Sequence, residues 1–208
     1  MRGIHGGYRT TKGAAFAAVL LGALALSGCA TPTGPVEVTR FHRAEAEAQL
    51  GHGTISVEPA PGLDPNSLEI QSYERAVARE LVRLGYTEAP AGAGAQIALI
   101  RIERTTFQPE RNRNPVSVGG GASTGSYGSG IGLGIGIDLS GRPPAQVATR
   151  LGVMIRERAS DTTLWEGRAS FTVRADAPLA QTQLGAAKMA EAMFRAFPGN
   201  NGETVDVQ

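Results

Sequence analysis

Two stretches of this 208-residue chain carry apolar residues at helical spacing, and the runs around them alternate with period two. From Ser72 to Leu84 the apolar positions are Tyr73, Ala76, Val77, Leu81 and Leu84, one stripe of a helix. Gly85 then stands where a helix-ending residue belongs, and Arg79 and Arg83 suit the negative end of the helix dipole. From Leu179 to Phe197 a second stripe runs through Ala186, Met189, Ala190, Met193 and Phe197, and Pro198-Gly199 stops it. A helix with one apolar stripe must bury it against another element. The alternating runs supply that element. Val36–His42 and Thr54–Val57 read as strands, the second ended by Pro59, and the Ala-Glu-Ala-Glu-Ala linker between them holds a helical turn. Gln96–Ile102 is apolar on both faces. Gln146–Arg158 puts Val147, Leu151, Val153 and Ile155 on one face and arginines on the other. Leu164–Arg174 aligns Trp165, Ala169, Phe171 and Val173, and Ser160-Asp161-Thr162 joins these two runs as a hairpin turn. Glu203–Val207 adds a final edge strand. This order predicts an α+β fold, a two-layer sandwich with a mainly antiparallel sheet and both helices on one face. Residues 36–208 are expected to form one domain, long enough for a core without disulfides.

The first 28 residues stand apart. Arg2, Arg9 and Lys12 carry charge without any acid, and Ala14–Leu26 follows as thirteen apolar residues. That is the plan of a secretory signal, and it is shorter than the ~20 apolar residues of a spanning helix. Leu26-Ser27-Gly28-Cys29 closes the run and resembles the lipobox of bacterial lipoproteins. The resemblance implies that Cys29, the chain's only cysteine, takes a diacylglyceryl thioether and becomes the mature N-terminus. Cleavage there removes three basic residues, which turns 20 basic against 19 acidic groups into 17 against 19. Ala30 after the cysteine favours the outer membrane, by resemblance to the sorting rule of Gram-negative lipoproteins. Residues 29–35 then form a lipidated, extended tether, and acyl chains anchor without a spanning helix.

Residues 117–141 hold ten glycines and read as an inserted hairpin. Gly130–Asp138 alternates strictly, with Ile131, Leu133, Ile135 and Ile137 on one face and bare glycine on the other. Gly119–Gly128 reads as a loop. Gly121-Ala-Ser-Thr-Gly125 matches the GxSxG spacing of a serine nucleophile, but an elbow needs a strand before it, a helix after it and a later histidine. All three histidines precede Ser123. His42 and His52, with Glu45, Glu47 and Glu58 nearby, have no spacing that fixes a zinc geometry. Glu157, Asp161 and Glu166 are interleaved with Arg156, Arg158 and Arg168, the pattern of ion pairs on a wet face. Arg101, Arg104, Arg111 and Arg113 outnumber Glu103 and Glu110 and are the candidate contacts for lipid phosphates or an acidic partner. The near balance of charge leaves no footprint for nucleic acid. No cofactor and no metal site is expected.

Val38-Thr-Arg-Phe41, Leu84-Gly-Tyr86, the strand from Gln96, the glycine-rich insertion, Leu164-Trp-Glu-Gly-Arg-Ala169 and Ala196-Phe-Pro198 occur in that order. With the lipobox, they resemble a family of small bacterial lipoproteins carrying domain of unknown function 4136, over roughly residues 36–200. The resemblance supplies no catalytic residues. The insertion in such proteins is often aromatic-rich, whereas here Tyr127 is its one aromatic residue. The expected function is that of a non-enzymatic binding or structural module of the envelope, anchored to the outer membrane and facing the periplasm. It would bind an envelope protein or lipid. The alternatives are an auxiliary lipoprotein of an envelope lipid-transport system and a serine hydrolase using Ser123.

Overall fold

The computed structural model describes residues 34–110, 116–125, 128–137 and 143–208. The signal segment, Cys29 and most of the tether lie outside these residues, as do Arg111, Arg113 and Tyr127. The elements are β1 (Val36–His42), a 3-10 turn (Ala44–Gln49), β2 (Thr54–Pro59), α1 (Leu68–Arg83), β3 (Thr87–Glu88), β4 (Gln96–Phe107), β5 (Val116–Gly125), β6 (Gly128–Ile137), β7 (Gln146–Glu157), β8 (Thr163–Arg174), a short 3-10 turn (Pro178–Ala180), α2 (Thr182–Phe194) and β9 (Thr204–Val207). Seven strands form one sheet in the order β3-β2-β4-β7-β8-β1-β9, and β5-β6 form a separate ribbon.

The α+β class stands, but the sheet is mixed, which corrects the expectation of a mainly antiparallel one. β2 runs parallel to both β3 and β4, while β4-β7-β8-β1-β9 are antiparallel. The reason is α1. A helix between two neighbouring strands carries the chain back along the sheet, so the second strand starts from the same end as the first. Reading the strands one by one missed this crossover.

α1 starts one turn earlier than its apolar stripe. Ser67 caps it, accepting a 3.5 Å hydrogen bond from the Ile70 N–H. Leu84 ends it and Gly85 follows at φ +110°, a conformation that glycine tolerates. α2 is shorter than expected at both ends, and Phe197 lies beyond it. Between the helices and the sheet, Tyr73, Val77, Leu81, Met189, Met193 and Phe194 meet Ile100, Leu151, Ile155 and Trp165, all essentially inaccessible.

Trp165 packs against the C-terminal end of α2 and the loop beyond it. Its ring stacks on Phe194 at 5.4 Å and tilts against Phe197 at 5.2 Å, and Nε1–H donates to the Pro198 carbonyl at 2.9 Å. Gly167 lies beneath the ring. A Cβ there would sit 2.2 Å from Trp165 Cη2, so this strand glycine marks a close approach. The glycine-rich segment holds a second surprise, since residues 119–125 are not a loop. They belong to β5, which pairs with β6 from Val116↔Ile137 to Gly125↔Gly128.

Candidate functional site

β1, β4, β7 and β8 alternate, and their two faces differ sharply. The face toward the helices carries the core; on β7 these are Val147, Thr149, Leu151, Val153 and Ile155, all buried. The other face has no helix over it among the described residues. Its rows follow from the register. Arg101, Gly152, Arg168 and Thr39 stand side by side across four strands. The next row is Glu103, Arg150, Ser170 and Glu37, and the row on the other side is Leu99, Met154, Glu166 and Phe41. Residues directly opposite in an antiparallel ladder share a face, so these twelve positions form one surface.

That surface is concave, a trough of ≈ 600 Å³ walled on one side by Ala60 and Pro61. Gly152 is its floor. A Cβ at Gly152 would meet only Arg101, at 3.8 Å from its Cβ and 4.0 Å from its carbonyl oxygen. The trough is lined by four arginines (Arg101, Arg150, Arg156, Arg168) and three glutamates (Glu37, Glu103, Glu166). Their pairing is uneven. Arg168 Nε donates to Glu166 at 2.8 Å, and its guanidinium lies 5.8 Å from the Phe41 ring centre. Arg156 pairs with Asp161 of the hairpin turn, and Arg150 stands 3.7 Å from Glu103. Arg101 is exposed and has no acidic partner among the described residues. Surface pairs of this kind hold their partners weakly, by ≈ 0–1 kcal/mol, so these arginines remain available to an anion.

The four arginines singled out from the sequence are not one patch. Arg101 faces the trough. Arg104, with the opposite parity on β4, reaches the helices: Nη1 donates to Glu69 Oε1 at 3.2 Å and to Thr182 Oγ1 at 2.7 Å, and Nη2 donates to the Ala180 carbonyl. It ties the first turn of α1 to the start of α2. Arg111 and Arg113 lie outside the described residues. Arg150 and Gly152 were missed because nothing in a single strand says which residues face each other across a ladder. The alternation of arginines along Gln146–Arg158 was the one available signal.

The remaining candidates have structural work. His42 and His52 sit on or before β1 and β2, which three strands separate. His42 Nε2 meets the Gly199 carbonyl at 3.1 Å and Nδ1 stands 3.5 Å from Glu47, while His52 Nδ1 meets the Leu50 carbonyl. Among the described residues no three metal-ligating side chains come together. Arg158 leaves the hairpin acids for β2, donating to Glu58 at 2.6 Å, Ser56 Oγ at 2.8 Å and the Gly94 carbonyl at 2.7 Å. Burial alone would push the Glu58 carboxyl up, but the Gly92 N–H, the Ser56 hydroxyl and Arg158 outweigh it and hold it below the usual carboxylate range. Buried Arg40 donates to the Met193 and Ala192 carbonyls at 2.9 and 3.0 Å, closing the C-terminal end of α2, and its pKa is lowered by desolvation. Tyr73 is pushed up to about 12, mainly by burial. Ser123 lies inside β5 opposite Gly130, so the strand-to-helix turn of a nucleophile elbow is not found there. No described helix is long and apolar enough to cross a membrane.

An uncharacterized protein from Zymomonas mobilis is 31% identical over 85% of this chain and 81% of its own length. Among solved structures, a PDZ domain protein from Parabacteroides distasonis aligns at TM-score 0.45 and 12% identity. That alignment takes in 90% of this chain, which spans 42% of the length of that protein. A PelC dodecamer from Paraburkholderia phytofirmans aligns at TM-score 0.38 and 9% identity, over 78% of this chain and 98% of that one. Residues 54–199, from the start of β2 into the loop after α2, match a domain of unknown function, and the chain belongs to that family, DUF4136.

Proposed function

We propose that the chain is a lipid-anchored module of the bacterial envelope, held at the outer membrane through Cys29, facing the periplasm, that binds a ligand without converting it. The observation that carries the binding half is a sheet face that no described helix covers, where a trough floored by Gly152 presents Arg101, which has no acidic partner among the described residues. The anchoring half is supported by the charged start, the apolar run Ala14–Leu26 and Leu26-Ser27-Gly28-Cys29. Leaving the ligand unchanged fits the structural roles of the arginines outside the trough: buried Arg40, half-buried Arg158 and exposed Arg104 hold helix ends and loops together.

Metabolic labelling with a clickable palmitate tests the anchor. The wild-type chain takes the label and enters the detergent phase, while Cys29→Ser leaves an unlabelled precursor. A wild-type protein that is soluble in the periplasm with a free thiol overturns the anchored reading. A fluorophosphonate probe tests the other half: covalent labelling of Ser123 overturns the non-enzymatic one.

A further inference from the structure

Arg101 and Arg168 flank Gly152 in one row, on strands either side of β7. Two inter-strand spacings separate them, about 10 Å. The residue between them has no side chain, so one tetrahedral group lying over Gly152 can meet both guanidiniums. Glu166 holds Arg168 through Nε and Nη2, and the Phe41 ring lies 5.8 Å from its guanidinium; the side chain is already ordered, with Nη1 left for a ligand, which reduces the ordering cost of capture. Arg150, diagonal to both and exposed, adds a third donor fork on the same side. Arginine forks suit the paired oxygens of phosphate.

The charge count selects the kind of phosphate. Asp161 takes up Arg156, which leaves Arg101, Arg150 and Arg168 against Glu37, Glu103 and Glu166, a lining in balance. A phosphodiester adds a single negative charge to it. Inorganic phosphate or a monoester carries ≈ −1.5 to −2 at pH 7, which sets surplus charge against Glu103 and Glu166. Beside the arginine row lie Leu99 and Met154, half-buried, with Ala60 and Pro61 as the wall. An apolar shoulder next to a monoanion site matches the junction of a phospholipid, where the diester meets the glycerol and acyl chains. We infer that the Gly152 trough binds the phosphodiester of an anionic phospholipid headgroup, clamped between Arg101 and Arg168. The inference rests on the binding-module reading and names the ligand of that same face.

The test uses the full chain in nonionic-detergent micelles and the deacylated headgroup glycerophosphoglycerol, followed by phosphorus NMR line broadening. The diester is expected to bind at least tenfold more tightly than inorganic phosphate. Phosphatidylglycerol doped into the micelles should displace it. Arg101→Gln should weaken binding about tenfold, roughly one charge-assisted contact. Gly152→Val is the sharper variant. It lies in ordinary strand backbone and its Cβ meets no close neighbour, so the melting temperature should hold within a few degrees while binding is lost. Binding that survives Gly152→Val in a folded protein overturns the site. Inorganic phosphate binding as well as the diester overturns the choice of ligand, and so does a headgroup that phosphatidylglycerol fails to displace. Any of these failures leaves the palmitate result at Cys29 as it was, so the anchor and the ligand stand or fall separately.

Discussion

Replacing Gly167 by alanine tests the packing of the core with a sign as well as a size. On strand propensity alone the change is favourable, since glycine inside a strand is worse than alanine by roughly 0.5–1 kcal/mol. The structure predicts the opposite. The new Cβ would stand 2.2, 2.8 and 2.9 Å from Cη2, Cζ3 and Cζ2 of Trp165. Relief to van der Waals distance needs a shift of about 1.4 Å, because carbon contacts are comfortable at ≈ 3.5–4.0 Å. The ring is held on its other sides by Phe194, Phe197 and the Nε1–Pro198 hydrogen bond. A shift of that size gives up the hydrogen bond, about 1 kcal/mol net, and the aromatic contacts, roughly 0.5–1.5 kcal/mol. It also brings the strain of overpacking, typically 1–3 kcal/mol. The net expectation is destabilisation by about 2–4 kcal/mol. Urea unfolding followed by far-ultraviolet circular dichroism measures it in parent, Gly167→Ala, Trp165→Phe and the double variant. In the double variant the smaller ring makes room, so the two costs should fall short of additivity by at least about 1 kcal/mol. A Gly167→Ala protein as stable as the parent, or strict additivity, refutes the close approach.

Four further outcomes are expected. The native fluorescence of Trp165, the single tryptophan, should be blue-shifted and should move red cooperatively on unfolding, and Trp165→Ala should cost about 3–5 kcal/mol; native emission at the solvent wavelength places the ring outside. Arg104→Met should cost about 1–2 kcal/mol by freeing Glu69, Thr182 and the Ala180 carbonyl, seen as a lower urea midpoint, and Glu69→Gln in that background should add little. The Glu58 carboxyl is held below its usual value of 4.5, so its contribution is present above that value and is lost as pH falls through the lower folded one. Melting temperature measured from pH 6 to pH 2 should therefore drop less steeply in Glu58→Gln than in the parent, and parallel curves would count against the Arg158 cluster. Replacing residues 112–141 by a short turn should leave the core transition unmoved or raise it by at most about 2 kcal/mol, since each halving of a loop is worth ~0.6 kcal/mol; a collapse of stability would mean that the ribbon supports the sheet.

What could be read from the sequence was what each element says about itself. Val147, Leu151, Val153 and Ile155 alternate with polar residues because one face of β7 is dry, and the structure buries those four. The α1 stripe was legible for the same reason, while its first turn was not: Leu68 is exposed and the cap at Ser67 is a single hydroxyl. Relations between elements were another matter. The parallel pairing Ile55↔Gln96 depends on how α1 returns the chain, and Arg101↔Gly152↔Arg168 depends on two ladder registers at once. Neither leaves a local trace. Arg104 misled because a charge run in one dimension splits between two faces once the strand forms. Phe197 looked like the last residue of the α2 stripe but serves the Trp165 cluster from outside the helix.

Among the described strands β1 is the first to be made, and its two neighbours are the last. Phe41 pairs with Glu166 of β8 and Val38 with Val205 of β9. At roughly 5–20 residues per second of synthesis, β1 waits about 7–25 s for β8 and longer for β9. During that interval β2, β4 and β7 can pair with one another, and β1 must stay unclaimed with Val36 and Val38 bare. A chain cut short anywhere before β8 therefore has no berth for its own N-terminal strand. β1 is seated between two strands made after it, so its state, docked or loose, reports whether synthesis has passed β8, and a protease or chaperone that meets β1 loose meets a sheet that is still open.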